Sequence, residues 1–213
     1  MAIKLYRFIP QDRSCRVAWL LKEMGVEFEP VELDARQREH LEREYQQLSP
    51  PGTIPAVVDD EVEVFESGAA VQYLADRYGA GTHCPLPQDP DRPAYLSWLY
   101  FASASLDPAC FPFVNPVLPE EFRPPHREYA RLRVPRMLDA VQQQLGSRQT
   151  ILERGFTAAD IPLTSALDYA EKGGCLEGRD SLQAYLDAMR RRPAAVDADA
   201  FFYDSPDQPL PSS

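Results

Sequence analysis

No Cys-x-x-Cys pair occurs among the four cysteines, Cys15, Cys84, Cys110 and Cys175. That scatter argues against a zinc site and a disulfide framework, and it weakens any dithiol oxidoreductase reading. No apolar stretch approaches the roughly 18 residues that a bilayer span needs. The opening Met1-Ala2-Ile3-Lys4-Leu5-Tyr6 lacks the charged-then-apolar layout of a secretion signal. A cytoplasmic protein with reduced thiols is therefore expected. Positive charge is also scarce: 22 Lys and Arg stand against 33 Asp and Glu, a formal net charge of -11. Such a surface repels nucleic acid and anionic membrane, although a few local donors can still hold a small anion. What is present is ordinary globular composition, 44% apolar over 213 residues, enough for one large domain or two small ones.

The front of the chain alternates strand and helix signals. Residues 3–9 form a short apolar strand that stops at Pro10. In residues 14–25, Val17, Leu20, Leu21 and Met24 fall on one helical face, with Ser14 as N-cap and Gly25 as the stop. Residues 28–33 alternate as a second strand, and the intervening helix predicts a parallel βαβ unit. Residues 36–48 predict an exposed helix. Two short strands, 56–59 and 62–65, flank Asp60-Glu61 as a hairpin, and Glu66-Ser67-Gly68 opens another helix.

Residues 80–92 are dense in turn formers and mark a boundary. Everything after them has helical period. Pro108 to Pro125 predicts a broken helix or a long loop, and Pro135 a bend in the helix over 127–145. Further helices are expected over 157–169 and 181–191. Phe201-Phe202-Tyr203 is expected to dock and the final residues to fray. The division is thus 1–79, an α/β front domain, 80–92 a linker, 93–200 an all-helical domain, and 201–213 a tail.

The most informative stretch is Thr53-Ile54-Pro55-Ala56-Val57, followed one hairpin later by Glu66-Ser67. An X-Pro bond between a turn and a strand can be cis, which exposes the Ile54 backbone to strand-like pairing with an extended peptide. Glu66 offers a carboxylate to an ammonium, and Ser67 a hydroxyl beside helix-terminal N–H groups for a carboxylate. Together they suit an α-amino acid head followed by an amide. The plainer reading, Pro55 as a turn and Ser67 as an N-cap, stands beside it.

Leu5-Tyr6-Arg7-Phe8, Arg16-Val17-x-Trp19-Leu20-Leu21, Gly52-Thr53-Ile54-Pro55-Ala56-Val57-Val58-Asp59 and Phe65-Glu66-Ser67-x-Ala69, with Phe156-Thr157-x-x-Asp160-Ile161 in the second half, resemble the cytosolic glutathione transferase superfamily. The pattern is bacterial and theta- or zeta-like, with no class assigned. The resemblance covers about residues 3 to 195. It implies a thioredoxin-like N-terminal domain (βαβ-α-ββα), an all-α C-terminal domain, glutathione as co-substrate, a small apolar electrophile as second substrate, and a homodimer. Ile54 would pair with the cysteinyl part of glutathione with Pro55 in cis, Glu66 and Ser67 would hold the γ-glutamyl end, and His40 and Thr53 stand where relatives contact the tripeptide. His40 reads equally as a solvated residue. Thr157 and Asp160 form a capping-box variant with Phe156 stapled onto Ile161, a structural role, and Pro162 is expected to bend that helix or loosen its first turn.

The place where relatives carry a Ser or Cys beside the sulfur falls on Gln11, which is no nucleophile. Its amide could donate to a thiolate, and Ser14 is the nearest hydroxyl unless capping consumes it. Gln11 and Ser14 are therefore joint catalytic candidates, with Arg13 and Arg16 as electrostatic helpers. Arg16 reads equally as a solvated surface arginine. Tyr6 is disfavoured by spacing, and Cys15 reads as buried. Trp98, Tyr100 and Phe101 are expected to fill the helical core, with a lining role for the electrophile pocket as the alternative. Gln11 leaves open a second class of function: an idle, transferase-like protein that binds glutathione or a regulatory partner.

Overall fold

The computed structural model describes residues 3–114 and 123–201. In β1 (Ile3–Arg7), Ile3 and Leu5 are buried and Lys4 is exposed, the alternation of a half-covered strand. Helix α1 (Cys15–Glu23) follows, then β2 (Phe28–Glu32), which pairs parallel to β1 from Ile3↔Phe28 to Arg7↔Glu32. Every residue from Cys15 to Leu21 is buried, so α1 is covered all round rather than along one stripe. Gly25 at φ +65 ends it in the left-handed conformation, and the Val26 N–H closes back on the Leu21 carbonyl at 2.9 Å.

The expected hairpin forms from β3 (Ala56–Asp59) and β4 (Val62–Phe65), both antiparallel neighbours, with Asp60 at φ 55 carrying the turn. β3 also pairs antiparallel with β1, giving the order β2-β1-β3-β4. Helix α3 (Ser67–Tyr78) closes the unit and packs on α1. The buried Asp59 carboxylate ties hairpin to helix, accepting from Tyr73 Oη at 3.0 Å and Tyr78 Oη at 2.8 Å and pairing with Arg77 Nε at 3.2 Å. This is the thioredoxin-like βαβ-ββα arrangement the sequence predicts. The single exposed helix over 36–48 does not form. Arg38 at φ 60 confines the start to a 3-10 turn (Glu39–Leu41), and the extended Glu42 at φ -71, ψ 149 separates that turn from the short α2 (Arg43–Leu48), because neither backbone conformation continues an α-helix.

The chain divides into two compact units. The described part of the first is 3–92 with 190–201, and of the second 93–114 with 123–189. Residues 80–92 are fastened to the first unit: Arg92 holds Asp76 through both guanidinium nitrogens at 2.6 and 2.8 Å and also reaches the Pro85 carbonyl. In the second unit, α4 (Arg92–Tyr100) continues through a π-helical turn (Phe101–Leu106) into α5 (Asp107–Cys110) and a 3-10 turn (Phe111–Phe113). The helix is thus not broken at Pro108, which lies in the first turn of α5 where its missing N–H is least needed. The rest of the proline-rich stretch, 115–122, lies outside the described residues. Trp98 and Phe101 stack edge to face at 5.3 Å but are only half-buried, and Tyr100 is 45% exposed, so these aromatics do not fill the core as expected.

Helix α6 (Arg123–Leu145) runs through Pro135. Helix α7 (Asp160–Lys172) starts three residues later than expected, which puts Pro162 in its first turn, where proline is tolerated. Asp160 is fully buried and accepts from the N–H groups of Ile151 and Thr157 and from Tyr185 Oη, each at 2.8 Å. The Thr157 hydroxyl donates to the same carboxylate instead of capping a helix N–H, so only the acidic half of the capping box forms. Burial pushes the Asp160 pKa up against those four donated bonds. Tyr185 belongs to α8 (Asp180–Arg190), and α9 (Pro193–Asp197) returns to pack on α1. Phe201 docks edge to face on Trp19 at 5.8 Å, while Phe202 and Tyr203 lie outside the described residues. Among the described residues no helix is long and apolar enough to cross a membrane.

Candidate functional site

The strand register gathers three connections at one end of the sheet. Tyr6 pairs with Ala56, and Ala56 with Phe65. The chain leaving β1, the chain entering β3 and the chain leaving β4 therefore meet there, together with the N-termini of α1 and α3. Gln11, Ser14, Ile54, Pro55, Glu66 and Ser67 all lie on these connections.

The Ile54-Pro55 peptide bond is cis. Ile54 is half-buried and sits just outside the ladder, and its N–H and C=O have no hydrogen-bond partner among the described residues. The turn before it is well fastened. The Thr53 carbonyl accepts from Tyr45 Oη at 2.7 Å and Ser49 Oγ at 2.8 Å, and Ser49 Oγ accepts in turn from the Thr53 N–H. Burial pushes the Tyr45 phenol up, keeping it a proton donor. Gly52, at φ +66, packs so tightly that a Cβ there would meet the His40 carbonyl oxygen and Leu41 Cδ2 at 2.8 Å. His40 is thereby brought to the same turn. Its ring meets Phe8 edge to face at 5.0 Å, and its Nδ1 is buried without a partner among the described residues. His40 is not the solvated surface residue of the alternative reading.

Glu66 is exposed, and its carboxylate makes no hydrogen bond among the described residues. It adopts φ 69, ψ 120, a region costly to a non-glycine residue, immediately before α3. Ser67 is buried, and its Oγ accepts from Arg16 Nη1 at 3.1 Å. Arg16 is 1% exposed. The solvated-arginine reading is therefore corrected: a buried cation lies behind the N-terminus of α3, where it favours an anion along with the helix dipole.

The β1–α1 connection is organised by Asp12, which the sequence reading passed over. Its Oδ2 accepts from the N–H groups of Phe8 at 2.8 Å and Ile9 at 3.0 Å, and its Oδ1 from the Ser14 N–H at 2.6 Å. Burial raises the Asp12 pKa, and these bonds with a contribution from the Ser14 side chain work against that rise. Because Asp12 organises the turn, Ser14 is not consumed as a side-chain cap. Its Oγ is buried with no well-formed hydrogen bond among the described residues. Gln11 differs: its Nε2 donates to the Asp199 Oδ2 at 2.7 Å and the Asp199 carbonyl at 3.2 Å. Cys15 is buried, as expected.

The family model of the glutathione S-transferase N-terminal domain matches residues 1–76. Glutathione S-transferase GstA of Escherichia coli O157:H7 is 30% identical over 183 residues, covering 84% of this chain and 88% of that protein. Glutathione S-transferase 3 of Zea mays is 29% identical over 201 residues, 90% of each. Among solved structures, a glutathione transferase from Burkholderia graminis, with two glutathione molecules bound per subunit, superposes with a TM-score of 0.81 at 26% identity, covering 92% of this chain and 87% of that one. Sequence relatives, strand order and the helical second half agree, and the chain belongs to the glutathione S-transferase superfamily.

Proposed function

We propose that the protein binds glutathione at this end of the sheet and adds the glutathione thiol to a small apolar electrophile, with isomerisation or reduction as variants of the same thiol chemistry. The observation that carries the reading is Glu66: a carboxylate without a hydrogen-bond partner among the described residues, held at a costly φ, beside buried Ser67 and at the same sheet end as the Ile54 backbone, which is likewise unpaired among those residues. A residue kept in such a conformation points to a role other than stability. The γ-glutamyl ammonium would pair with Glu66. Its carboxylate would take the α3 N-terminus and Ser67, with Arg16 behind. The cysteinyl amide would bond Ile54, and His40 and Thr53 border the far end. The glutathione-bound Burkholderia relative supports glutathione as the ligand.

In the chemical step the glutathione sulfur, as thiolate, forms a bond to the electrophilic carbon. The displaced group leaves with its electron pair, and the thiol proton passes to solvent. Ser14 Oγ is the donor assigned to the thiolate, with the N-terminus of α1 adding its partial positive charge. The second reading, a glutathione-binding protein with little turnover, is favoured by one observation: the Gln11 nitrogen is already engaged by Asp199. A cytoplasmic homodimer belongs to either reading. Thermal shift with glutathione, run beside turnover of a generic aromatic electrophile, tests both. Stabilisation with turnover supports the first, stabilisation without turnover selects the second, and no stabilisation refutes both.

A further inference from the structure

Residues 192–201 form a strap that begins and ends on the first unit's α1 region. Arg192 grips Glu23 through two nitrogens at 2.6 and 2.8 Å, Phe201 packs on Trp19, and between them Asp199 meets Gln11 from 188 residues away. The strap, α1 and the outer strand β2 enclose a cavity of about 270 Å³. Phe28 and Pro30 line it from β2. They stand opposite Ile3 and Leu5 in the register, and Arg7, two residues after Leu5, comes to the same sheet face. Lys22 lines the cavity from α1. The cavity lies on the β2 side of β1, whereas Ile54, Glu66 and Ser67 adjoin β3, β4 and α3 on the other side. Its strap wall is held by a closed helix end: the Asp199 N–H bonds the Val196 carbonyl at 2.9 Å and the Ala200 N–H the Ala195 carbonyl at 3.1 Å.

The Arg7 side chain is 13% exposed, and a guanidinium so enclosed is stable only when its donors are met. Its Nη2 reaches Glu32 Oε1 at 3.0 Å, but its Nε is buried and meets no hydrogen-bond partner among the described residues. The Lys22 Nζ, 5.7 Å from the centre of the Phe28 ring, makes no ion pair among those residues. On the strap side stand Asp197, likewise without an ion pair among them, and Asp199, whose Oδ2 takes Gln11. Two cations and two carboxylates therefore line one cavity, and among the described residues no ion pair spans it. We propose that this cavity binds a small zwitterion, an α-amino acid with an apolar side chain. Its carboxylate meets Arg7 and Lys22, its ammonium meets the strap carboxylates, and its side chain packs on Phe28 and the prolines at 10 and 30. A ligand of one sign would meet two like charges, and one carrying both signs suits each wall. The volume is below the roughly 300–1,000 Å³ of pockets for drug-sized ligands, which limits the occupant to about amino-acid size.

The test titrates L-phenylalanine, N-acetyl-L-phenylalanine and phenethylamine into the natural protein, and L-phenylalanine into Lys22→Met and Asp197→Asn. Calorimetry gives affinity and backbone amide spectra give location. Lys22 and Asp197 are exposed, so both replacements leave the fold in place, and methionine keeps an apolar stem beside Phe28. L-phenylalanine should bind the natural protein and shift the amides of residues 28–32 and 197–199. The acetylated analogue, which lacks the ammonium, and the amine, which lacks the carboxylate, should each bind at least about fivefold more weakly. L-phenylalanine should lose about as much in each variant. Absence of binding overturns the site. Equal affinity for either one-charge analogue, or in either variant, overturns the zwitterion assignment. Amide shifts confined to residues 54, 66 and 67 place the amino acid at the other end of the sheet and overturn the proposal as well. No arm contains glutathione, so the result stands apart from the glutathione reading.

Discussion

Glu23→Ala should cost about 3 kcal/mol and loosen the strap from α1. The Glu23 carboxylate, 10% exposed, takes a two-pronged bond from Arg192, and its Oε1 also accepts from the Trp19 indole N–H at 2.8 Å. A charge-assisted hydrogen-bonded pair contributes about 1.5–3 kcal/mol, and Arg192 at 32% exposure puts this one toward the lower end. Taking the acceptor from the buried indole adds about 1–2 kcal/mol. For a chain of this size a loss of about 3 kcal/mol lowers Tm by about 6–12 °C. Glu23→Gln, which keeps an acceptor for the indole and drops the charge, should lose about half as much. Burial pushes the Glu23 pKa up, but Arg192 and the indole outweigh it and the net shift is downward. A depressed folded-state pKa gives stability that is fully present above the unfolded value near 4.3 and fades as pH falls through the folded value. The gap between the natural protein and Glu23→Gln should therefore be full at pH 7 and shrink below about pH 4. Thermal melts across pH read all of this, and an Ala variant melting within about 2 °C of the natural protein would refute the reasoning.

Asp160→Ala should be the most damaging single change in the second unit, about 3–5 kcal/mol by urea denaturation, since it strands the Ile151 and Thr157 N–H groups and the Tyr185 hydroxyl at a fully buried site. Ser14→Ala should lower the conjugation rate about tenfold or more while leaving glutathione affinity within about twofold, and equal rates in both proteins would remove Ser14 from the chemistry. Native alkylation at pH 7, followed by mass spectrometry, should label half-buried Cys175 first. Cys15, Cys84 and Cys110 are buried, and burial pushes the Cys84 thiol up to about 11, so labelling of Cys84 before Cys175 would contradict the structure.

Local pattern carried the sequence reading wherever structure is local. The βαβ and ββα units, the Gly25 stop and the hairpin over 56–65 were legible because apolar spacing and turn residues encode them within a few positions. The interruption of the helix over 36–48 was not, because nothing local marks Arg38 as left-handed or Glu42 as extended. Ser14 carried the familiar capping signature and hid Asp12, whose carboxylate does the work two residues earlier. Arg16 reads from sequence equally as an electrostatic helper and as a solvated arginine, because its burial depends on α3, 51 residues away at Ser67. The aromatics at 98–101 show the reverse error: helical spacing implies a covered face, but Tyr100 stays exposed. For the site, Ile54, Glu66 and Ser67 could be proposed because motif and chemistry coincide there, whereas the Gln11–Asp199 contact joins opposite ends of the chain and leaves no local trace.

Calorimetric titration of glutathione into the natural protein and Glu66→Gly bears most directly on the central claim. Glycine accepts the positive φ at position 66 without the cost that glutamate carries, so the backbone before α3 is preserved and only the carboxylate is lost. The account predicts binding to the natural protein and a loss of at least about tenfold in the variant, with an unchanged or higher Tm in the absence of ligand. Equal affinity in both proteins would contradict it.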